Sequence, residues 1–189
     1  MVAPVRHRFD FAAYVLLEQD SQVKHEFLDG LVWAMAGGSP AHSGIAANIA
    51  RLLGSQLEGR RCRVFNSDLR IRVKATGLAT YPGVTVVCGQ LELDPDDASH
   101  HTVTNPKLIV EVLSPSTEDY DRGEKLEHYR QVPSLEAVLL VAQDAPRVEA
   151  WNRTAGGWSK ALYEAGSTGE VASLDCHLAV DGIYHDPLA

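Results

Sequence analysis

Lys107-Leu108-Ile109-Val110-Glu111-Val112-Leu113 is a nearly unbroken apolar run with one carboxylate in its middle, closed by Ser114-Pro115-Ser116-Thr117. Aliphatic residues without alternation read as a central strand covered on both faces. Burying an unpaired carboxylate there is costly, so Glu111 either has a cation, a metal or hydrogen-bond donors, or lies where the strand turns it to water. The residues that follow bear on that choice. Thr117 or Ser116 can cap a helix running to about Gln131, with Glu118 and Asp119 near its positive end. Pro133 closes it, and Leu135 to Val141 forms a second apolar strand.

Lys125 lies one helical step ahead of Tyr129 on that helix. A lysine returned over the end of the Glu111 strand can meet the carboxylate, and then act on a phosphate as a point charge or orient an attacking water. The bland alternative is an exposed helix lysine.

Upstream, Asp10 precedes Phe11, Tyr14, Val15 and Leu17 as the N-cap of a short helix ending near Asp20. His25-Glu26-Phe27-Leu28 and Leu31-Val32-Trp33-Ala34-Met35 flank Asp29-Gly30, which predicts a hairpin with a type I′ turn. After the Gly37-Gly38-Ser39-Pro40 break, Ile45, Ile49, Leu52, Leu53 and Leu57 recur at helical spacing until Gly59. Three strands are expected next, over residues 62–66, 68–74 and 81–88. The acidic stretch Asp94-Pro95-Asp96-Asp97, ending in His100-His101, reads as a solvated loop. Trp151, Gly156-Gly157 and Trp158 mark a further hairpin, and 171–184 forms a terminal segment.

A chain of 189 residues with 45% hydrophobic content suits one domain, residues 1–189, with one sizeable core. Met1 to Phe11 contains Arg6 and Arg8 but no apolar run of leader length, and no stretch is apolar enough to cross a membrane, so a cytoplasmic protein is expected. Cys62, Cys88 and Cys176 are far apart and odd in number, which predicts reduced thiols and no zinc site. A net charge of −8 opposes indiscriminate binding to polyanions. Any nucleic-acid contact must be local, and the best stretch is Arg60, Arg61 and Arg63, then Arg70, Arg72 and Lys74, the last three alternating along one strand face. A solvated strand face explains those cations as well. No GxSxG elbow is present, and neither His42 nor His128 can be paired with a serine, so serine or histidine hydrolysis has little support.

The runs His25-Glu26-Phe27-Leu28-Asp29-Gly30, Asn66-Ser67-Asp68-Leu69-Arg70, Thr80-Tyr81-Pro82-Gly83-Val84, Val110 through Thr117, and Tyr120-Asp121-Arg122-Gly123-Glu124-Lys125 with Tyr129-Arg130 resemble the Uma family. That family, formerly a domain of unknown function, is assigned to the restriction endonucleases of the PD-(D/E)XK nuclease superfamily. The resemblance covers nearly the whole chain. It implies a restriction-endonuclease-like α/β fold, a central mixed sheet flanked by helices with additional hairpins, and DNA phosphodiester hydrolysis with Mg²⁺ or Mn²⁺. By matching positions, Glu111 is the metal-binding glutamate and Lys125 the catalytic lysine, displaced from the strand because Leu113 stands two residues after Glu111. Glu26 becomes a further ligand or base, and Asp68 another acidic metal position.

Gly83 departs from the pattern. The family reads Tyr-Pro-Asp-Val where this chain reads Tyr81-Pro82-Gly83-Val84, so the aspartate facing Glu111 is absent. A Mg²⁺ site that loses one of its carboxylates holds its ion weakly. The expectation is a DNA endonuclease with a degenerate site and reduced or lost activity, the alternative being a non-catalytic pseudo-nuclease that binds DNA or a partner. A homodimer follows from the same analogy, since two-strand cutting suits a two-fold pair of sites.

Overall fold

In the computed structural model, which describes residues 8–186, the run around Glu111 forms β8 (Leu108–Leu113), and all six residues are buried. Its neighbours are β6 (Val84–Cys88), antiparallel, and β9 (Ala137–Ala142), parallel. With β3 (Cys62–Asn66), β10 (Arg147–Thr154) and β11 (Gly157–Glu164) they make a six-stranded mixed sheet in the order β11-β10-β9-β8-β6-β3. A parallel pair needs a crossover, and the helical segment after β8 supplies it.

Strand alternation then decides where Glu111 points. Leu108, Val110 and Val112 pack against Ile45, Ile49 and Leu53 of α2 (Pro40–Gln56), whereas Ile109 and Leu113 pack against Leu126 and Tyr129 of the crossover. Glu111 lies between Ile109 and Leu113 in the alternation and so faces the crossover helix. Neither face of β8 is open to water, which removes the solvent-facing reading. Each fully buried aliphatic on these faces contributes about 1.5–3 kcal/mol, enough to hold a carboxylate in a place that is unfavourable for it alone.

A second sheet, ordered β2-β1-β5-β4-β7, is built from β1 (His25–Leu28), β2 (Leu31–Ala34), β4 (Arg70–Arg72), β5 (Ala79–Thr80) and β7 (Thr102–Val103). The expected hairpin opens it, with Asp29 at φ 47° and Gly30 at φ 81°, as a type I′ turn demands. Phe27 packs on Phe11 and Tyr14 of α1 (Phe11–Asp20), which Asp10 caps at the Ala13 N–H. Alternation therefore sends Glu26 to the opposite face. At the C-terminal end, β12 (Thr168–Val171), β13 (Cys176–Ala179) and α5 (Val180–Ile183) cover the α2 side of the core.

Four expectations need correction. The helix predicted from Thr117 to about Gln131 is broken into α3 (Glu118–Tyr120), a π-helical turn at Asp121–Lys125, and α4 (Leu126–Tyr129). Thr117 precedes it without capping, because its hydroxyl is 2.9 Å from Ser114 Oγ instead. The strand expected over 68–74 shrinks to β4, since Leu69 N–H closes a turn onto Asn66 O, and the strand from Tyr81 begins only at Val84. Cys62 and Cys88 are not free thiols: they stand directly opposite on β3 and β6, with Cα atoms 3.9 Å apart, and form a disulfide, leaving Cys176 as a buried thiol. The 94–97 loop is not simply solvated, because Asp94 and Asp97 are fully buried against cations. Of the stretch Met1–Phe11, residues 1–7 lie outside the described residues. Among those described, no helix is long and apolar enough to cross a membrane.

Candidate functional site

The two sheets and the crossover meet at Lys125. Its ammonium is 2.8 Å from Glu26 Oε1 on β1, 3.0 Å from Glu111 Oε1 on β8 and 3.3 Å from Asp121 Oδ1 at the start of the π turn. All four residues are buried. Thr80 on β5 donates its hydroxyl to the same Glu26 oxygen, and Tyr129 donates its hydroxyl to Glu111 Oε1. The rings of Tyr120 and Tyr129 flank the ammonium with centroids at 5.9 and 6.0 Å. Glu111 Oε2 receives only a long contact, 3.4 Å, from the Gly83 N–H.

The π turn is the local feature that places Asp121 and Lys125 together, and such turns recur at functional sites. It is tied down from behind, where Arg122 meets Glu149 on β10 and Lys160 on β11 reaches the other Glu149 oxygen at 2.7 Å.

Three carboxylates around one ammonium leave the pocket with excess negative charge. Burial, reinforced by the charge of Asp121 and opposed by Lys125, pushes the Glu111 carboxyl up to about 7. Burial alone would pull the Lys125 ammonium down, but Glu111, Tyr129, Glu26 and Asp121 outweigh it and hold the ammonium well above its usual range. The Tyr129 phenol is likewise raised, by burial and by the adjacent Glu111. At neutral pH the pocket thus combines a permanently charged donor with a carboxyl poised to give or take a proton, the pairing that acid–base chemistry requires.

Gly83 is the partly exposed member of this group. A Cβ added there would lie 3.3 Å from Val110 O and 3.8 Å from Val112 N, so a side chain at this position would lean along β8 beside Glu111 at a close but attainable distance.

Of the residues singled out from sequence, Glu26, Glu111 and Lys125 converge and Gly83 borders them. Asp68 does not join them: it is exposed, pairs with Lys24 at 2.6 Å and accepts from Asn66 Nδ2. Arg70, Arg72 and Lys74 do not present a free cationic face. Arg70 is buried and binds Asp97 at 2.9 Å, Thr102 Oγ1 at 2.6 Å and Tyr81 at 3.1 Å. Arg72 pairs with Asp94 and Asp96 and lies 3.6 Å from the Phe11 ring centroid, and Lys74 pairs with the same two aspartates. His42 donates its backbone N–H to Ser39, and His128 lies 3.7 Å from Glu124. Asp121 and Thr80 received no role from sequence. Asp121 was within reach of it, since Asp121, Lys125 and Tyr129 recur at four-residue intervals; Thr80 offered no signal.

The resemblance implies a divalent ion at these donors. Their oxygens are hard enough for Mg²⁺, but three of them converge on the lysine ammonium, and among the described residues no group of three or more His, Cys, Asp or Glu is arranged to hold a metal ion. As they stand, these residues do not fit one.

Comparison with known proteins bears on the whole chain. A family model for Uma2, described as "Putative restriction endonuclease", matches residues 11–181. Two proteins of Synechocystis sp. (strain ATCC 27184 / PCC 6803 / Kazusa) are similar. The uncharacterized protein slr1290 is 39% identical over 173 residues, covering 90% of this chain and 88% of the relative. The uncharacterized protein sll1609 is 34% identical over 142 residues, covering 75% and 79%. Among solved structures, a "putative nuclease belonging to DUF820" from Anabaena variabilis ATCC 29413 superposes with a TM-score of 0.71 at 16% identity, covering 87% of this chain and 91% of that one. At that identity the likeness establishes a shared nuclease-like fold.

Proposed function

Because the chain belongs to the Uma2 family, described as putative restriction endonucleases, we propose that it is a DNA endonuclease scaffold whose hydrolytic output is reduced or lost through Gly83. The observation that carries this reading is the convergence of Glu26, Glu111 and Asp121 on Lys125, with Glu111 Oε2 turned toward the Gly83 N–H. Lys125 presents its charge to a scissile phosphate, and Glu111, with its carboxyl near 7, exchanges a proton with the attacking water or leaving group. Glu26, held by Thr80, keeps the ammonium oriented. A divalent ion would need a carboxylate restored at position 83, beside Glu111, to be held here, and it would then neutralise charge on the phosphodiester. Action on both strands of a duplex further suits a homodimer.

The test is Gly83→Asp. The variant is expected to bind Mg²⁺ or Mn²⁺ more tightly than the parent by calorimetry, and to nick supercoiled plasmid DNA where the parent nicks slowly or not at all. A variant that binds no more cation than the parent and leaves the plasmid intact overturns the proposal.

A further inference from the structure

We propose that the outer edge of β3, beside an open groove, binds the sugar–phosphate backbone of DNA through Arg61 and Arg63. This rests on the endonuclease reading and locates its substrate surface. β3 ends the six-stranded order, so its outer edge has no neighbour. The groove, of about 860 Å³, runs between that edge and the last turns of α2, past Gly54, Ser55, Arg63, Phe65 and Asn66.

The cations carry the argument. Among the described residues, the other exposed lysines and arginines are already held. Arg8, Lys24, Lys74 and Lys160 pair with carboxylates. Arg60 turns back onto Leu174 O and Asp175, and Arg153 binds the carbonyls of Leu135, Arg130 and Val132. Arg51, Arg61 and Arg63 are exposed and form no ion pair or side-chain hydrogen bond. Of these, Arg63 lines the groove, and Arg61 lies two residues before it on the same strand edge. Gly89 N–H donates to Arg61 O at 2.7 Å, so the ladder extends to Arg61 and places Arg61, Arg63 and Phe65 on one strand face, opposite Cys62 and Val64, which pack toward α2.

In a protein of net charge −8, two unpaired arginines on one strand face form a local electropositive feature, and they outnumber Glu58, the acid that lines the groove. The Arg63 guanidinium lies 5.9 Å from the Phe65 ring, a planar pair that can follow a nucleic-acid chain by charge and by stacking. The groove also leads to the site. Asn66, at its far end, pairs with Val84, the residue after Gly83.

The experiment measures the affinity of the full chain for a short fluorescein-labelled DNA duplex by anisotropy over a range of salt, in EDTA. The parent is expected to bind with a clear salt dependence. The Arg61→Gln/Arg63→Gln variant is expected to lose affinity about tenfold and to flatten the log–log salt slope by roughly 2, near 0.9 per lost phosphate contact. Lys74→Gln, which alters an exposed but paired cation, is expected to leave both unchanged. Three results overturn the assignment: unchanged binding by the double variant, an equal loss in Lys74→Gln, or a double variant that changes oligomeric state in light scattering while binding DNA as the parent does. The last would make the edge an interface between copies. Should Gly83→Asp nick DNA while the double variant binds normally, the groove is wrong and the endonuclease reading stands. A parent that binds no DNA removes the groove, whatever Gly83→Asp does.

Discussion

Two charge clusters lie in this molecule, one partly exposed and one buried, and they are composed differently. Around β4, Arg70, Arg72 and Lys74 face Asp94, Asp96 and Asp97, so positive and negative groups match one for one. Around Lys125, a single ammonium faces Glu26, Glu111 and Asp121. The consequences appear in the carboxyls. Asp97 lies well below the usual range: burial alone would raise it, but hydrogen bonds from Ser99, Thr102 and Arg70 prevail. Glu111 goes the other way, up to about 7, because burial and the charge of Asp121 outweigh Lys125. The balanced cluster is a structural clasp that pins the 94–102 loop to the second sheet. The unbalanced one holds charge that folding alone does not require, which fits the catalytic role proposed for it.

The largest expected effect of breaking this contrast is at Lys125. Lys125→Met leaves three buried carboxylates without their cation and should cost about 4 kcal/mol in urea unfolding at pH 8, within the range for a buried charge deprived of its partner. Part of that loss should return in the Lys125→Met/Glu111→Gln double variant. Arg70→Met breaks a buried pair in the balanced cluster, and about 3 kcal/mol should disappear with little variation between pH 5 and pH 8, because Asp97 stays ionised throughout.

The pH dependence separates the clusters further. The Glu111 carboxyl is raised from its usual 4.5 to about 7 in the folded state, so between those values the folded chain binds more protons than the unfolded one. Stability contributed by this group therefore falls as pH rises from 4.5 to 7, by roughly 2–3 kcal/mol, and Glu111→Gln should flatten that decline in denaturation midpoints. The smallest effect is expected at Tyr129. Tyr129→Phe removes the hydroxyl donated to Glu111, should cost about 1–2 kcal/mol at pH 8, and should shift the Glu111 titration upward.

Much of this contrast could be read from residues, and the unread parts share a cause. Asp29-Gly30 demanded its hairpin locally, and a glutamate inside an aliphatic run announced a compensated charge whatever its partner. Lys125 and Tyr129 were visible as a pair by helical spacing. Asp121 has the same spacing, but acids are common on surface helices and the π turn that brings it inward leaves no local pattern. What stayed hidden depends on register between distant strands. Cys62 meets Cys88 only because β3 and β6 align them, and Arg70 meets Asp97 only because the 94–102 loop folds back on β4. Hence Arg70, Arg72 and Lys74 looked like a nucleic-acid face, whereas their counter-charges follow some twenty residues later. Asp68 carried the right chemistry in a motif but falls in an exposed turn.

The most direct test of the unbalanced cluster is a carbon-13 NMR titration of the glutamate side-chain carboxyls, with Glu111 assigned by its loss in Glu111→Gln. A midpoint near 7 is predicted, moving higher in Lys125→Met. A Glu111 midpoint near the ordinary 4.5, indifferent to the lysine, would contradict the account.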